Sequence, residues 1–433
     1  MSVDPVRRRA LDLLVRVGAG GPLDLLLDKA LADLERGGAG RRDAAFLAEL
    51  VRGTLQWALR YDHLILRYAR RRPPADPRLR ALLRLSLHQL VALDAVPPYA
   101  VLHQAGELCR ARIAPRLTGF VNGLLQAARR ELRPEGTTDR GERTARLDAA
   151  FADLRTDRGA WLSAWHAHPR WLVDRWVDRW GDERAAAVLA HNNAPVPLVL
   201  RVLEPMDPEA AAAALDQAGC ATAPGIDGRT LICSGRLERA AIAGLASRFR
   251  WLLVQDGTVQ VATSWLLAQV AGAAVPVLDL CAAPGGKTRR LAAAWPGDAP
   301  LVAVDNRPAR LRALRDAAKT VEGRPVSVVL ADGTVPPFPP GVFGVVLVDG
   351  PCSGTGVLRH HPEARLNLDP RAPAARAADL LALARSAAEL LAPGGVFLYA
   401  TCSLEQEENE DVLDRLLAGG APVAPWPDAQ DRW

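Results

Sequence analysis

The last third of the chain alternates short apolar runs with helical stretches, a pattern that few folds can satisfy. The apolar runs occupy residues 275–280, 301–304, 326–330, 345–348 and 396–399. Strands separated by helices form right-handed βαβ units, and their parallel sheet is covered by helices on both faces. We therefore predict a doubly wound α/β domain over residues 271–433, in which Gly394 and Gly395 end the last long helix.

The first third of the chain carries apolar residues at helical spacing, interrupted by frequent glycine and proline. Leu11, Leu14 and Val15 share one helix face, and the leucines of residues 79–90 continue the period. The interruptions divide this segment into short helices that must pack on one another. Residues 1–133 are therefore predicted to form an all-helical domain, which holds 23 Lys and Arg against 13 Asp and Glu.

Two further segments lie between these domains. Residues 134–160 lose the apolar period and gather Arg, Glu, Thr and Gly, which is typical of a solvated linker. Residues 161–270 begin with a tryptophan-rich helix and continue with short strand candidates such as residues 196–202. We predict a linker followed by a small α+β linking module.

Several classes of protein are disfavoured by the sequence. The longest uncharged run, residues 257–278, contains Gln260 and Pro276, which a membrane span would not tolerate, and no apolar signal opens the chain. The six cysteines form no CxxC pair, which disfavours a disulfide framework and a zinc site, so we expect a cytoplasmic protein. The adjacent His360 and His361 cannot share one helix face, so we expect an exposed loop and no metal there.

The residues after each apolar run should meet at one edge of the sheet, where open α/β domains bind ligands. The first run leads from Asp279 into a turn of small residues at a helix N-terminus, whose amides can approach a ligand closely. That turn consists of Cys281, Ala282, Ala283, Pro284, Gly285, Gly286 and Lys287. A phosphate-binding P-loop would require glycine where Cys281 stands, so the turn favours a nucleoside cofactor.

Acidic residues follow the next two strands. Asp305 ends the second strand, where it can accept hydrogen bonds from ribose hydroxyls, and Asp332 follows the third, within reach of an adenine amino group. Each aspartate taken alone could equally cap a turn or a helix. Their recurrence at successive strand ends favours ligand binding.

Cysteines follow the fourth and fifth strands. Asp349 and Cys352 lie in Asp-Gly-Pro-Cys-Ser-Gly-Thr-Gly, and Cys402 lies in Ala-Thr-Cys-Ser. A cysteine in such a turn lies near backbone amides that favour its thiolate. A thiolate activates an unreactive pyrimidine carbon by adding to the neighbouring carbon. These arguments do not choose which of the two cysteines is the nucleophile.

These motifs resemble those of a known family, the bacterial NusB-domain-containing rRNA cytosine C5-methyltransferases called RsmB, Fmu or Sun, within the NOL1/NOP2/Sun group. The strings that carry the resemblance are His168-Pro169-Arg170-Trp171, Asp-Leu-Cys-Ala-Ala-Pro-Gly-Gly-Lys-Thr, Pro-Cys-Ser-Gly-Thr-Gly and Ala-Thr-Cys-Ser. The resemblance covers most of the chain. It implies a NusB-like helical RNA-binding domain, a small α+β module that links the domains and contacts RNA, and a Rossmann-like methyltransferase domain.

The resemblance also implies roles for the site residues. Residues 281–287 would bind S-adenosylmethionine, Asp305 its ribose and Asp332 its adenine. Asp349 would line the pocket between cofactor and target base and help to protonate the cytosine ring. Cys402 would attack C6, the activated C5 would take the methyl group, and Cys352 would assist release of the product. The target cytosine must leave its stack, so the substrate would be a single-stranded or locally opened rRNA.

We expect the basic helical domain to bind RNA phosphates, although a merely solvated basic face is the alternative. The arginines concerned are Arg70, Arg71, Arg72, Arg78, Arg80 and Arg84. Two other functions compete with rRNA methylation: an RNA-binding assembly factor with an inactive methyltransferase fold, and a DNA cytosine methyltransferase that uses Cys352.

One departure from the family concerns the end of the sequence. The antiparallel strands that usually close this fold after the second cysteine motif are missing, and residues 421–433 are predicted to be a proline-rich tail. We therefore expect an exposed final sheet edge and a short C-terminal part of the domain. We also expect a monomer.

Overall fold

The structure is a computed structural model that describes residues 3–69, 74–137, 139–234, 239–270, 274–295, 298–320 and 325–426. Its contacts divide the chain into two compact units. The helical unit comprises Met1–Pro195 together with Val357–Pro370. The second unit, called the sheet unit here, comprises Val196–Gly356 and Arg371–Trp433.

Helices build the first unit, as predicted. They are α1 Pro5–Gly18, α2 Leu23–Arg36, α3 Arg41–Gln56, α4 Ala58–Ala69, α5 Pro77–Ala92, α6 Pro98–Arg112, α7 Thr118–Leu132, α8 Arg140–Ala149, α9 Arg158–His166 and α10 Arg170–Asn193. Several begin where an aspartate side chain caps the first turn: Asp4 accepts from the Arg7 amide and Asp76 from the Arg78 amide. Their leucine-rich faces form one continuous core.

The prediction of a solvated linker over residues 134–160 is wrong, because part of this segment is a packed helix. Asp139 caps α8, and Leu147, Ala150 and Phe151 are buried in the core of the helical unit. The many charged residues of this segment occupy the outer face of a packed helix, so composition alone suggested solvation. The tryptophan-rich helix also belongs to the helical unit, and α10 is interrupted at Gly181, whose φ is 78°.

The small sheet confirms the strand candidates after residue 196. Its antiparallel strands are β1 Leu198–Val202, β2 Thr222–Pro224, β3 Thr230–Cys233 and β4 Leu252–Val254, in the order β2-β3-β1-β4. The helices α11 Pro208–Gln217 and α12 Arg239–Arg248 accompany them. Cys220 and Cys233 form a disulfide with a Cα–Cα distance of 6.4 Å, which the spacing of the cysteines did not predict. The antiparallel pairing of β2 with β3 brings the two residues together.

The large sheet is parallel throughout its described strands, as predicted. These are β5 Val277–Asp279, β6 Leu301–Asp305, β7 Val326–Leu330, β8 Phe343–Asp349 and β9 Leu391–Ala400, in the order β7-β6-β5-β8-β9. The remaining helices are α13 Gly257–Gln269, α14 Gly286–Ala294, α15 Pro308–Lys319, α16 Ala372–Leu390 and α17 Glu410–Ala418. Leu278, Val346 and Val348 are buried in the core of this sheet.

Gly394 and Gly395 do not end the last long helix, contrary to prediction. Helix α16 ends at Leu390, and β9 begins with the next residue. Gly394 has φ 75° and lies where the pairing of β8 with β9 shifts its register. The two glycines therefore belong to an irregular part of the strand. After β9, the described chain forms the short 3-10 helix Gln406–Glu408 and α17, which packs on α16. None of the helices over the described residues has the length and apolar character needed to cross a membrane.

Candidate active site at the carboxyl edge of the parallel sheet

The predicted site residues come from the carboxyl ends of the five parallel strands. Strand β5 lies at the centre and ends at Asp279, with β6 and β8 on either side ending at Asp305 and Asp349. Asp332 follows β7, and Cys402 follows β9. Because the strands are parallel and in register, these residues share one edge of the sheet.

The turn after β5 is shaped for close approach of a ligand. Gly285 has φ 107°, and a Cβ there would lie 2.7 Å from the Cβ of Ala317 on α15. This position is therefore restricted to glycine. Helix α14 starts at Gly286 with no side chain capping its first turn, so the amides there are available for a ligand.

Helix α14 is fixed behind this turn by a buried arginine. Arg290 is 1% exposed, and its Nη1 donates to the backbone oxygen of Gln260 on α13 at 2.8 Å. Its Nη2 donates to the hydroxyl of Ser264, also on α13. The first turn of α14 is thus held in place by contacts away from the sheet edge.

Asp279 is buried beneath the turn, and only one of its two carboxylate oxygens has a hydrogen-bond partner among the described residues. Its Oδ2 accepts a hydrogen bond from Thr288 Oγ1 at 2.7 Å, whereas its Oδ1 is buried with no partner among the described residues. Burial raises the pKa of Asp279 to about 7; the neighbouring Asp349 and Asp305 raise it further, against the lowering effects of Thr288 and Lys287. A buried, orphaned carboxylate of this kind favours a cationic ligand.

Lys287 projects from the first turn of α14 and forms an ion pair with Asp349 at the end of β8. This contact joins two residues that the sequence analysis placed in different parts of the site. Cys281 lies among the acids of this edge. Burial, followed by Asp279, Asp305, Asp349 and Asp332, raises its pKa to about 12, so it stays a neutral thiol.

Asp305 and Asp332 each use one carboxylate oxygen in a local turn. Asp305 Oδ1 accepts from the Arg307 amide at 2.8 Å. Asp332 Oδ1 accepts from the amide of Thr334 at 2.9 Å and from its hydroxyl at 2.8 Å. Turn formation and ligand binding are therefore compatible, because the second oxygen of each carboxylate has no hydrogen bond to the described part of the chain.

Cys352 and Cys402 are in direct contact. The Cys402 amide donates to Cys352 Sγ at 3.1 Å. The Cys402 thiol also donates to the Cys352 sulfur, and with the amides of Gly354 and Cys402 it lowers the pKa of Cys352 against the effect of burial. The same thiol–thiol bond, together with burial and the charges of Cys352 and Asp349, raises the pKa of Cys402. Cys352 is therefore the more acidic thiol of the pair, and Cys402 is the more exposed.

A buried glutamate beneath the two cysteines was not found by the sequence analysis. Glu408 is 0% exposed and accepts hydrogen bonds from Ser353 and Ser403, the residues that follow the two cysteines. It belongs to an acidic run with Glu405, Glu407 and Glu410, and nothing in the local pattern distinguishes it from them.

The histidines near residue 360 contribute nothing to this edge. His360 and His361 are exposed, His361 Nδ1 lies 3.5 Å from Glu363 Oε1, and their segment belongs to the helical unit. The described residues contain no cluster of His, Cys, Asp or Glu that could hold a metal ion.

Most of the arginines that we predicted to bind RNA are not exposed, unpaired residues of the described chain. Arg70, Arg71 and Arg72 lie outside the described residues. Arg84 is held by Asp62 at 2.8 Å, and Arg80 Nη2 donates to the Pro74 carbonyl at 2.9 Å, which leaves Arg78 as the exposed member.

A basic cleft lies instead along α1 and α2. Its volume is about 500 Å³, and its lining includes Arg8, Arg16, Lys29 and Arg112. Arg112 pairs with Asp12 at 2.6 Å, whereas Arg8, Arg16 and Lys29 form no ion pair with the described residues. We call this surface the α1–α2 cleft.

The strand order, the glycine-restricted turn before α14 and the acids at the following strand ends together define a Rossmann-like methyltransferase fold. Comparison with known families agrees with this class. Residues 265–425 match the family of 16S rRNA methyltransferases RsmB/F, residues 4–130 the NusB family, and residues 168–231 the ferredoxin-like domain of RsmF/B-like methyltransferases.

Curated relatives cover most of the chain. A putative methyltransferase of Mycobacterium tuberculosis strain H37Rv, Rv1407, is 35% identical over 419 residues, covering 93% of this chain and 84% of the relative. Ribosomal RNA small subunit methyltransferase B of Escherichia coli O17:K52:H18 is 32% identical over 381 residues, covering 85% and 80%. A probable enzyme of the same name from Bacillus subtilis is 28% identical over 95% of this chain and 88% of its own. The chain belongs to the RsmB/F family of 16S rRNA methyltransferases.

Solved structures share the fold. The crystal structure of PH0851 superposes with a TM-score of 0.75 at 23% identity, covering 98% of this chain and 91% of its own. NSun6 from Pyrococcus horikoshii, solved with SFG, gives a TM-score of 0.50 at 18% identity over 59% of this chain and 88% of its own. The first of these likenesses extends over both units described above.

Proposed function

We propose that this chain methylates C5 of a cytosine in 16S rRNA, with S-adenosylmethionine as methyl donor and Cys402 as the nucleophile. The observation that carries the proposal is the contact between the thiols of Cys352 and Cys402 at an edge that also presents Asp279, Lys287 and Asp349. Two thiols at one point suit a reaction in which one sulfur adds to the base and a second group assists elimination.

The charges at the sheet edge support a cationic cofactor. Asp279, Asp305 and Asp349 gather there, and Lys287 is paired with the last of them. A sulfonium and an ammonium group would compensate these carboxylates, whereas a triphosphate would be repelled by them. SFG, an analogue of S-adenosylmethionine, is bound by NSun6, a protein of the same fold.

In this proposal the turn of residues 281–287 and the Asp279 carboxylate hold the methionine part of the cofactor. Asp305 accepts from the ribose hydroxyls, and Asp332 accepts from the adenine amine. The bound cofactor supplies an electrophilic methyl group. The chain's own residues supply orientation, exclusion of water and the movement of protons.

The first chemical step is assigned to the cysteine pair. Cys352, which its lowered pKa makes the thiolate of the pair, takes the Cys402 proton along the hydrogen bond between them as the Cys402 sulfur forms its bond to C6. The C5–C6 π electrons then become nucleophilic at C5. Asp349, oriented by Lys287, takes up a proton from solvent and passes it to the ring nitrogen N3, which neutralises the charge that develops there.

Product release reverses the addition. Once C5 carries the methyl group and Cys352 has lost its proton to solvent, Cys352 takes the remaining proton from C5. The C5–H electrons restore the double bond, and the C6–S bond breaks to return Cys402. This order requires two separate thiols that can reach the same carbon pair, and the contact between Cys352 and Cys402 supports it.

RNA binding is assigned to the helical unit. The α1–α2 cleft presents Arg8, Arg16 and Lys29 without carboxylate partners among the described residues, so these cations are available for phosphates. The target cytosine must be extruded from its stack to reach Cys402, which favours a loop or an opened strand.

One observation favours a second assignment of the nucleophile. The pKa of Cys352 is the one that is lowered, which suits a thiolate nucleophile at Cys352, as in a DNA cytosine methyltransferase. The exposure of Cys402 and membership in the RsmB/F family favour RNA and Cys402. An inactive RNA-binding factor is disfavoured because Cys352, Cys402 and Asp349 are all present and in contact with partners.

The deciding experiment combines transfer and mapping. The full chain is incubated with labelled S-adenosylmethionine and 16S rRNA lacking 5-methylcytosine, and bisulfite sequencing maps the product. We expect label in a single cytosine, with DNA of the same sequence unlabelled. RNA binding without transfer would support the inactive factor, and transfer to DNA would support the Cys352 alternative.

A further inference from the structure

We infer that Glu408 is a positioning residue that ties the Cys352 turn to the Cys402 turn and thereby keeps the two thiols in contact. The inference rests on the proposed function and deepens it. Glu408 touches neither sulfur through a hydrogen bond; it acts through Ser353 and Ser403, which directly follow the two cysteines in sequence.

The donors to Glu408 come from both turns. Its Oε1 accepts from the Ser353 amide at 2.6 Å, and its Oε2 accepts from the Ser353 hydroxyl at 2.5 Å and from the Ser403 hydroxyl. A fully buried carboxylate is costly unless it is hydrogen-bonded. Separating the turns would therefore remove donors that the buried charge requires.

Glu408 is itself held independently of the Cys352 turn. Its backbone oxygen accepts from Tyr399 Oη of β9 at 2.6 Å. The next residue, Asn409, accepts from Thr401 Oγ1 at 2.7 Å and donates to the Ser403 carbonyl at 3.1 Å. The carboxylate is thus a fixed point, and the serines are arranged around it.

Two more contacts join the same turns on the other side of the cysteines. The Gly356 amide donates to the Cys402 carbonyl at 2.9 Å, and the Leu404 amide donates to Thr355 Oγ1 at 2.9 Å. A Cβ at Gly356 would lie 2.9 Å from the Cys402 carbonyl oxygen, so the backbones approach as closely as glycine permits. Glu408 completes a set of contacts that surrounds the thiol pair.

The main test is Glu408→Gln in the full chain. Glutamine keeps the size of the side chain but replaces one acceptor oxygen with an NH₂ group, so either the Ser353 amide or both serine hydroxyls lose their acceptor. We expect kcat for methyl transfer to fall about 10- to 100-fold, while KM for RNA changes by less than about twofold, because small displacements of reacting groups act on the chemical step. Glu389→Gln, the same change on the exposed face of α16, is the matched control.

A second readout does not depend on methyl transfer. Diamide oxidises two adjacent thiols to a disulfide, and peptide mass mapping gives the rate at which Cys352 joins Cys402. We expect closure to be at least about fivefold slower in Glu408→Gln than in Glu389→Gln, since the rate requires the sulfurs to meet. Ser353→Ala, which removes one donor and no charge, should show the same effects if Glu408→Gln fails to fold.

The outcomes separate this inference from the proposed function. Wild-type closure rates in both Glu408→Gln and Ser353→Ala would overturn the positioning role, whether or not kcat falls. An unchanged kcat in the same two variants would also overturn it. If the wild-type chain transfers no methyl group, the proposed function fails, and the closure rates still decide what Glu408 does.

Discussion

The amide of Cys402 donates a hydrogen bond to the sulfur of Cys352 at 3.1 Å, although the two residues are 50 positions apart in sequence. The contact exists because β8 and β9 are neighbours in the parallel sheet and each leads into a tight turn at the same edge. One sulfur is half-buried and the other exposed, so the pair is asymmetric before any substrate arrives.

This asymmetry predicts opposite phenotypes for the two cysteines. Cys402→Ala should lower methyl transfer by at least about 10³-fold, because the nucleophile is lost. Cys352→Ala should accumulate a covalent protein–RNA complex that survives denaturing electrophoresis, because release is blocked. Cys109→Ala, in the core of the helical unit, is the control. A stable adduct formed by Cys402→Ala instead would exchange the two roles.

The buried Asp279 predicts a pH dependence of stability. Its pKa is about 7 in the folded chain and ~3.9 when unfolded, so between these values the folded chain holds a proton that the unfolded chain has released. The free energy of unfolding therefore decreases as pH rises through this window and levels off above pH 7. Asp279→Asn lacks this dependence, so its Tm should gain on that of the wild type between pH 5 and pH 8.

Thermal unfolding at several pH values measures the difference. Asp316→Asn, an exposed change on α15, should follow the wild-type curve throughout. Parallel Tm curves for the wild type and Asp279→Asn would show that the carboxyl group is not protonated by burial in the folded chain.

The α1–α2 cleft predicts a change in the salt dependence of RNA binding. Replacing Arg8, Arg16 and Lys29 by alanine should weaken binding and reduce the slope of log K against log salt by about 2, at ~0.7 for each single-strand phosphate contact. Arg130→Ala, an exposed arginine on α7, is the single-site comparison. A slope that stays the same in the triple variant would remove the cleft from the RNA interface.

The buried Arg365 predicts a large effect on stability. It is 2% exposed, and its guanidinium donates to the Gln56 and Asn192 carbonyls and to Asn193 Oδ1, while burial lowers its pKa to about 10. Arg365→Ala would leave these acceptors unsatisfied and should reduce the free energy of unfolding by about 3 kcal/mol. The exposed change Arg376→Ala should cost less than about 0.5 kcal/mol, by denaturant titration. Equal midpoints for the two variants would contradict this account.

Local patterns were enough to predict the parallel sheet and the acidic residues and cysteines at the carboxyl ends of its strands. The apolar runs of β5 to β8 are short and bounded, and each ends at or near an acidic residue of the candidate site, so Asp305 and Asp349 could be placed without long-range information. The meeting of Cys352 and Cys402 followed from the same reasoning, because parallel strands end at a common edge.

Features that depend on distant contacts were not accessible from the sequence. The surface of α8 is charged, and the burial of Phe151 is decided by the rest of the helical core. The pairing of Cys220 with Cys233 depends on the register of β2 and β3. Glu408 resembles its acidic neighbours in every local property and differs only in the serines that fold onto it.

The helical unit also includes Val357–Pro370. This segment starts immediately after the Cys352 turn, and the chain re-enters the sheet unit at Arg371. This excursion makes the helical unit discontinuous in sequence. A cut near residue 195 would therefore separate the helical unit from Arg365. The C-terminal fragment would keep residues 357–370, which have their packing partners in the other fragment. Swapping the N-terminal portion between relatives should succeed only when the excursion is exchanged with it, so the recombination boundary for this protein has three crossing points rather than one.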